Sequence, residues 1–363
     1  MADSHEVAIV GSGLAALTAK AALADAEIDA VVFGDSPDPA TAWRVRAAAI
    51  RQTHMRSESD GHCRPHTFPG LAARRAWRER DVWPLLLSVT DRYRPSVDEF
   101  LADADMVRKD SGWDASFRRV RIAGISPVPG GFRLEHRTPV PGTCQVCARY
   151  EGPFRHVLVA TGHPGLNVPE ELRGDPRVVH AYEAHGYGER VAVVGAGMAA
   201  ATEWRNALAA GADVLSVRRR EPLRRPLNLP RHLFTRRGLA AYHRLDPRTR
   251  VSFLRELSAP SYPPGREWDV RVHVTQQVPE EADQVVCATG FVRGAANEPL
   301  LASLPRHDEW VELAPDATVP SLTDETRTLA VSGVHAQWAF PGADTLAGMR
   351  YVAHRFVRRC RTP

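Results

Sequence analysis

Two stretches of the chain share one hydrophobic pattern. Val7–Val10 is an unbroken apolar run, closed by glycine and followed by an Ala/Leu-rich stretch to Leu23. Val191–Val194 is a second such run, and an alanine-rich stretch to about Ala210 follows it. A short apolar run ending in glycine predicts a buried strand, and the longer stretch after it predicts a helix. The turn between them reads Gly11-Ser12-Gly13-Leu14-Ala15-Ala16 in one copy and Gly195-Ala196-Gly197-Met198-Ala199-Ala200 in the other. A strand–GxGxxA–helix unit is a dinucleotide fingerprint, so two units predict two nucleotide sites. The first glycine lets the chain reverse, and the second lets a pyrophosphate approach the backbone. The alanine lets helix and strand pack closely. The helix start offers N–H groups and a positive dipole end to phosphate.

The strands that follow differ in how they end. Ala30–Phe33 predicts the second strand of the first unit. An acid at its end would accept both hydroxyls of an adenosine ribose. Gly34 holds that place and Asp35 comes one residue later, so Asp35 either serves the ribose from a shifted register or opens the turn Ser36-Pro37-Asp38-Pro39. Asp213–Val217, the matching strand of the second unit, ends in Arg218-Arg219-Arg220. A guanidinium there suits a 2′-phosphate, which points to NADPH over NADH; the other reading is an exposed basic turn. A second duplication closes each unit. Leu158-Val-Ala-Thr161-Gly162 returns as Val286-Cys-Ala-Thr289-Gly290, where glycine lets backbone pass a ligand or cross between domains.

Between these landmarks the periodicity changes. Trp43 to about Ala76 reads as a long polar, His-rich loop with Met55, Arg56 and Ser57, of the kind that lines pockets. His54, His62, Cys63 and His66 fit no standard zinc spacing, and no metal is expected. Val82–Val89 and Val97–Leu101 predict short helices. From Arg118 to Val159 short strands and glycine turns predict a β-meander inserted in the first unit. It carries Cys144-Gln-Val-Cys147, which reads as a hairpin with two thiols or as a redox pair. Glu221 to about Trp268 predicts an inserted, arginine-rich helical segment. Leu329–Gly333 predicts a last strand, and a Gly-rich turn then opens a helix through Phe356. In that turn His335 and Trp338 are either near the chemistry or ordinary packing.

Composition adds bounds. The chain has 363 residues, enough for two domains, and a formal charge of +4 with pI near 8.9, too weakly basic to suggest nucleic acid. Lys20 and Lys109 are the only lysines, so arginine carries the positive charge. Five cysteines form no disulfide framework. No basic leader precedes the first strand, and no apolar run reaches the roughly 18 residues of a membrane span. A cytoplasmic protein is expected.

Taken together, these motifs resemble the two-dinucleotide-binding-domain flavoproteins, and among them the class B flavin monooxygenases: the flavin-containing, Baeyer–Villiger and N-hydroxylating enzymes. Leu172-x-Gly174 with Val179-His180-Ala181-Tyr182 resembles the segment before their NADPH fingerprint. The stretch from His335 to Arg355, with Asp344-x-Leu346, is similar to the closing segment of the N-hydroxylases. Trp43 stands where the family has Gly-Gly-x-Trp. The resemblance implies an α/β fold of two Rossmann-like domains: residues 1–170 and 291–363 for FAD, and 186–290 for NADPH. It implies contact of FAD with Gly11, Ser12, Gly13, Leu14, Ala15, Ala16, Asp35, Trp43, Met55, Arg56, Ser57, Thr161 and Gly162. NADPH would meet Gly195, Gly197, Met198, Ala199, Arg218, Arg219, Thr289 and Gly290. Asp344 and Leu346 would lie by the isoalloxazine. The implied reaction is oxygenation of a small heteroatom-bearing substrate by molecular oxygen through a C4a-peroxyflavin, with no side chain assigned as base and no nucleic-acid or membrane partner. A homo-oligomer is compatible with it. The sequence departs from the family at Gly34 and at Ala40-Thr41, which replace the ribose acid and the paired glycines. Two other readings stay open: a disulfide reductase using Cys144 and Cys147, and a nucleotide-binding flavoprotein without turnover.

Overall fold

The computed structural model describes residues 6–56, 70–90, 92–139, 146–225, 229–265, 268 and 270–361. Ser57, His62, Cys63, His66 and Cys144 lie outside the described residues. The first apolar run forms β1 (Val7–Val10), buried along its whole length. After the glycine turn comes α1 (Leu14–Asp25), then β2 (Val31–Phe33). Helices α2 (Thr41–Ala49), α3 (Leu71–Glu79), α4 (Trp83–Val89), α5 (Val97–Asp110) and α6 (Trp113–Ser116) lead to β3 (Phe117–Arg118).

Two of these helices differ from the sequence expectation. Trp43 lies in α2, not in a loop, and packs edge-to-face on Phe100 of α5 at 4.8 Å. Its helix has one buried residue, Ala47, so the apolar periodicity that would announce it is missing. Helix α5 is 14 residues long because Ser96 and Glu99 form a capping box at its start.

Three antiparallel strands, β4 (Ile122–Val128), β5 (Gly131–Pro139) and β6 (Val146–Phe154), make a separate sheet in sequence order. The chain then returns to the first sheet as β7 (His156–Val159). A short strand β8 (Val178–His180) precedes β9 (Arg190–Val194), α7 (Met198–Ala209) and β10 (Asp213–Val217). The arginine-rich segment forms β11 (Leu223–Arg224), α8 (Arg236–His243), α9 (Pro247–Leu257) and β12 (Ser261–Tyr262). Strands β13 (His273–Thr275) and β14 (Gln284–Cys287) complete the second unit. A hairpin of β15 (Arg306–His307) and β16 (Trp310–Val311) follows, then β17 (Thr328–Val331) and α10 (Leu346–Cys360).

Two parallel five-stranded sheets result, ordered β17-β7-β1-β2-β3 and β13-β10-β9-β14-β8. Their hydrogen bonds repeat almost atom for atom. Gly11 N–H donates to Phe33 at 2.7 Å, and Gly195 N–H to Val217 at 3.1 Å. Ala160 N–H donates to Val10 at 2.7 Å, and Ala288 N–H to Val194 at 2.8 Å. The Thr18 hydroxyl back-bonds to Leu14 and that of Thr202 to Met198, both seven residues after the first glycine.

At the reversal, φ is +125° at Gly11 and +135° at Gly195. A Cβ at Gly11 would run into the carbonyl of Ala160, and one at Gly195 into that of Ala288. Helix α10 packs along α1, closing the first unit with C-terminal chain. No helix among the described residues is long and apolar enough to cross a membrane. We predict that Gly11→Ala lowers the free energy of unfolding by about 2 kcal/mol or more, because it combines positive φ with a backbone collision. Gly13→Ala, at φ −93° with nothing within 4 Å of its Cβ position, lowers it by less than about 1 kcal/mol. Urea unfolding of the two variants distinguishes these values.

Candidate functional site

Two cavities open where the strands of each sheet end. The first, about 810 Å³, is lined by Gly11, Ser12, Gly13, Leu14 and Ala15, with Asp35, Trp43, Met55, Arg56, Thr161, Gly162, Asp344 and Leu346. The second, about 1250 Å³, is lined by Gly195, Gly197, Met198, Ala199, Arg218, Arg219, Thr289 and Gly290. Arg56, His163, Tyr182, Met198, Phe291 and Asp344 line both, so the cavities meet at these six residues.

Each cavity receives a helix N-terminus. Gly13 and Gly197 are the N-caps of α1 and α7, extended at φ −93° and −89°, and neither helix has a side-chain cap or an acid in its first turn. Nothing lies within 4 Å of where a Cβ would stand at either glycine. Protein packing therefore does not require glycine at these two positions, whereas it does at Gly11 and Gly195. Open space over uncapped N–H groups at a positive dipole end is a cradle for an anion. Ala16 belongs elsewhere. It is fully buried in the first core and lines neither cavity, because the helical repeat turns it to the sheet. The expected pyrophosphate contact is corrected to a packing role.

Gly34 has a physical explanation. A Cβ there would collide with the side chain of Ser12, whose Oγ accepts the Ser36 N–H at 3.2 Å. The serine of the fingerprint fills the space that an acid at residue 34 would need. Asp35 is exposed at the edge of the cavity, and Asp38 beside it is held by Arg44 and the Ala40 N–H. In the second unit Arg218 reaches over the Trp204 ring at 5.4 Å, pairs with Glu221 at 3.0 Å, and keeps a buried Nε without a partner.

The duplicated Thr-Gly turns meet between the sheets. Leu166 pairs antiparallel with Phe291, and Asn167 N–H donates to Gly290 at 3.0 Å. The ring after each turn stacks on the other: His163 on Phe291 at 4.3 Å, with Tyr182 on Phe291 at 5.1 Å. A buried histidine stands by each turn. His180 Nε2 donates to the Gly290 carbonyl at 3.0 Å while its Nδ1 accepts the Tyr182 N–H, which fixes a neutral tautomer. His335 lies by the Gly162 backbone with its Nε2 buried and unpartnered. Burial holds both imidazoles below the ordinary histidine range. His335 lines neither large cavity, and Trp338 is buried against His307 and Arg250, so both serve packing and positioning rather than contact with a ligand. No sequence signal marks the hold of His180 on Gly290, since it joins residues more than a hundred apart.

Charge at the junction is uneven. Burial, with Arg46 and Arg293 nearby, holds His163 down at about 3, so the ring stays neutral. Asp344 stands between buried neighbours and is itself open to both cavities. Burial pushes its carboxyl up, while Arg293 and a hydrogen bond from Gln337 oppose the shift. Cys147 lies on β6, exposed, and among the described residues no cysteine lines either cavity.

No protein-family model matches the chain, and no curated protein sequence matches it. Solved structures do. An ornithine N-hydroxylase from Kutzneria sp. 744, with reduced FAD, NADP+ and L-ornithine, matches with TM-score 0.74 and 14% identity over 98% of both chains. An FAD-bound cadaverine monooxygenase of desferrioxamine biosynthesis from Erwinia amylovora matches with TM-score 0.72 and 12% identity, over 99% of this chain and 95% of that one. A bacillithiol disulfide reductase from Bacillus cereus matches with TM-score 0.57 and 16% identity over 98% of both. The fold is that of the two-domain FAD/NAD(P)-binding flavoproteins, and it is shared by monooxygenases and a disulfide reductase alike.

The buried histidines carry a pH prediction. His156, with both ring nitrogens unpartnered, is held at about 4 and His163 at about 3. Their folded values lie below the unfolded value of about 6.5, so the unfolded chain binds protons that the folded chain refuses. Stability is then full above about pH 6.5 and falls as pH drops toward the folded values, by up to about 1.4 kcal/mol per pH unit per histidine. Urea unfolding from about pH 7 to about pH 5 checks this, and His163→Asn flattens the slope. A slope unchanged in that variant contradicts it.

Proposed function

We propose that the chain is an FAD- and NADPH-dependent monooxygenase acting on a small molecule. The observation that carries this reading is the pair of open glycine cradles, Gly13 and Gly197, facing two cavities that join at an aromatic junction. Residues 1–170 with 291–363 are the proposed FAD domain, and residues 186–290 the NADPH domain. When bound, FAD would accept electrons from NADPH and activate molecular oxygen.

The chain's own residues have separate tasks in this reading. Backbone N–H groups of Gly13 to Ala15 hold the FAD pyrophosphate at the start of α1, and those of Gly197 to Ala199 hold the NADPH pyrophosphate at the start of α7. Arg218 and Arg219, which line the second cavity, receive the 2′-phosphate. Trp43, Met55, Thr161 and Gly162 shape the wall along the flavin, and Leu346 opens α10 toward it. The paired crossovers meet where Leu166 bridges Phe291 and His180 holds the Gly290 carbonyl.

The cysteines weigh against the disulfide-reductase reading. A dithiol must reach the flavin or a partner disulfide to exchange electrons. Cys147 is exposed on the antiparallel sheet, and Cys287 is buried at the end of β14 with its thiol pushed up to about 11, well away from reactive thiolate. Gly34 weighs little for a site without turnover, because Ser12 rather than loss of an acid accounts for it.

The full chain loaded with FAD is predicted to oxidise NADPH while consuming oxygen. Arg218→Gln lowers its preference for NADPH over NADH by about tenfold or more, with little change in NADH turnover. An oxygen electrode and steady-state kinetics with both coenzymes test this. Equal turnover of NADPH and NADH by the unaltered chain contradicts the role of Arg218, and failure to bind FAD contradicts the function.

A further inference from the structure

Arg46 is a charged group with no carboxylate partner among the described residues. It projects from α2 into the first cavity, beside the junction, with its guanidinium 4.5 Å from the centre of the Phe291 ring. Among the described residues it makes no hydrogen bond and no ion pair. The ring contact offsets part of its desolvation but satisfies none of its five donors. Burial pulls its pKa down, as expected where no anion compensates the charge, yet a guanidinium stays cationic at any physiological pH. A half-buried, unpaired cation facing a cavity is costly unless a ligand brings a negative charge to it.

The surroundings set the sign of the ligand. Arg56 and Arg293 also face the junction, against Glu298 and Asp344. Arg56 donates to the carbonyls of Arg225 and Ser261 and to the Ser261 hydroxyl, and so is held in place by backbone. His163 and Tyr182 contribute neutral rings. Among the described residues no carboxylate pairs with Arg46, so a cationic group of a substrate would be repelled from it.

The pyrophosphates of two dinucleotides do not account for Arg46, because each has its own helix N-terminus at Gly13 or Gly197. We propose that the substrate carries an anionic group, a carboxylate or a similar planar anion, and that Arg46 receives it with Phe291 and Tyr182 as the flanking aromatic wall. The planar fork of arginine suits a carboxylate through two parallel hydrogen bonds. This rests on the monooxygenase reading and narrows it to a substrate class. Arg46 then sets specificity and takes no part in the redox step.

Benzoate is a probe with the required charge and ring, and benzylamine is its cationic counterpart. The FAD-loaded full chain is titrated with each while the flavin absorption spectrum is recorded, and FAD content is measured in every variant. Benzoate is expected to perturb the spectrum with saturation, and benzylamine to leave it unchanged at the same concentrations. Arg46→Gln is expected to weaken benzoate at least about tenfold, while Arg46→Lys, which keeps the charge, retains it within a few-fold.

Equal benzoate affinity in Arg46→Gln and the unaltered chain overturns the proposal, as does tighter binding of benzylamine. A changed flavin spectrum in Arg46→Gln with unchanged benzoate affinity assigns the charge to the flavin and overturns it as well. A chain that binds FAD and oxidises NADPH but shows no response to benzoate refutes the substrate class alone. A chain that takes up no FAD refutes the monooxygenase reading, and this proposal with it.

Discussion

The close passage of backbone at Gly11 and Gly195 is the constraint on which the rest depends. At each, the chain leaves a central strand and turns against the carbonyl of the neighbouring strand's end, at Ala160 or Ala288, with no room for a side chain. That reversal aims the start of α1 and of α7 into open space and leaves their N–H groups uncapped. The same carbonyls belong to the strands that continue into Thr161-Gly162 and Thr289-Gly290. One local requirement therefore fixes the cradle, the end of the cavity and the start of the crossover. Because it occurs twice, the crossovers come together as a pair, and the cavities meet where His163, Phe291 and Tyr182 stack.

What could be read from the sequence was what is determined locally. The two fingerprints, the strands around them and the Thr-Gly repeats depend on short apolar runs and on glycines at fixed offsets, so they survive without tertiary knowledge. The capping box of Ser96 and Glu99 was equally local and marks the start of a longer helix than expected. Helix α2 escaped because it rests mostly on the surface of the first unit and shows no apolar stripe. Ala16 was assigned to the ligand as part of a motif, whereas helix geometry turns it inward. The hold of His180 on Gly290 and of Ser12 over Gly34 joins residues brought together only by the fold. No spacing rule signals them.

The fold alone does not choose the chemistry. It is shared by an ornithine N-hydroxylase and by a bacillithiol disulfide reductase, each at low identity. The choice rests on what this chain places at and beside the junction: neutral aromatic rings, Arg46 without a carboxylate partner, and among the described residues no cysteine. Near-exclusive use of arginine has a consequence here. A lysine buried at the junction would lose its proton readily, whereas Arg46 keeps its charge and so maintains a positive site in a half-buried place.

The most direct measurement is anaerobic mixing of the FAD-loaded chain with NADPH while the flavin absorbance is followed. Two cavities that meet at His163, Phe291 and Tyr182 would place the two proposed dinucleotides on one chain within reach of each other. The flavin band should then bleach in a single intramolecular phase whose rate saturates with NADPH and does not depend on protein concentration. FAD and NADP+ that displace one another, or that bind together with the flavin band unbleached by NADPH, would contradict the two joined sites.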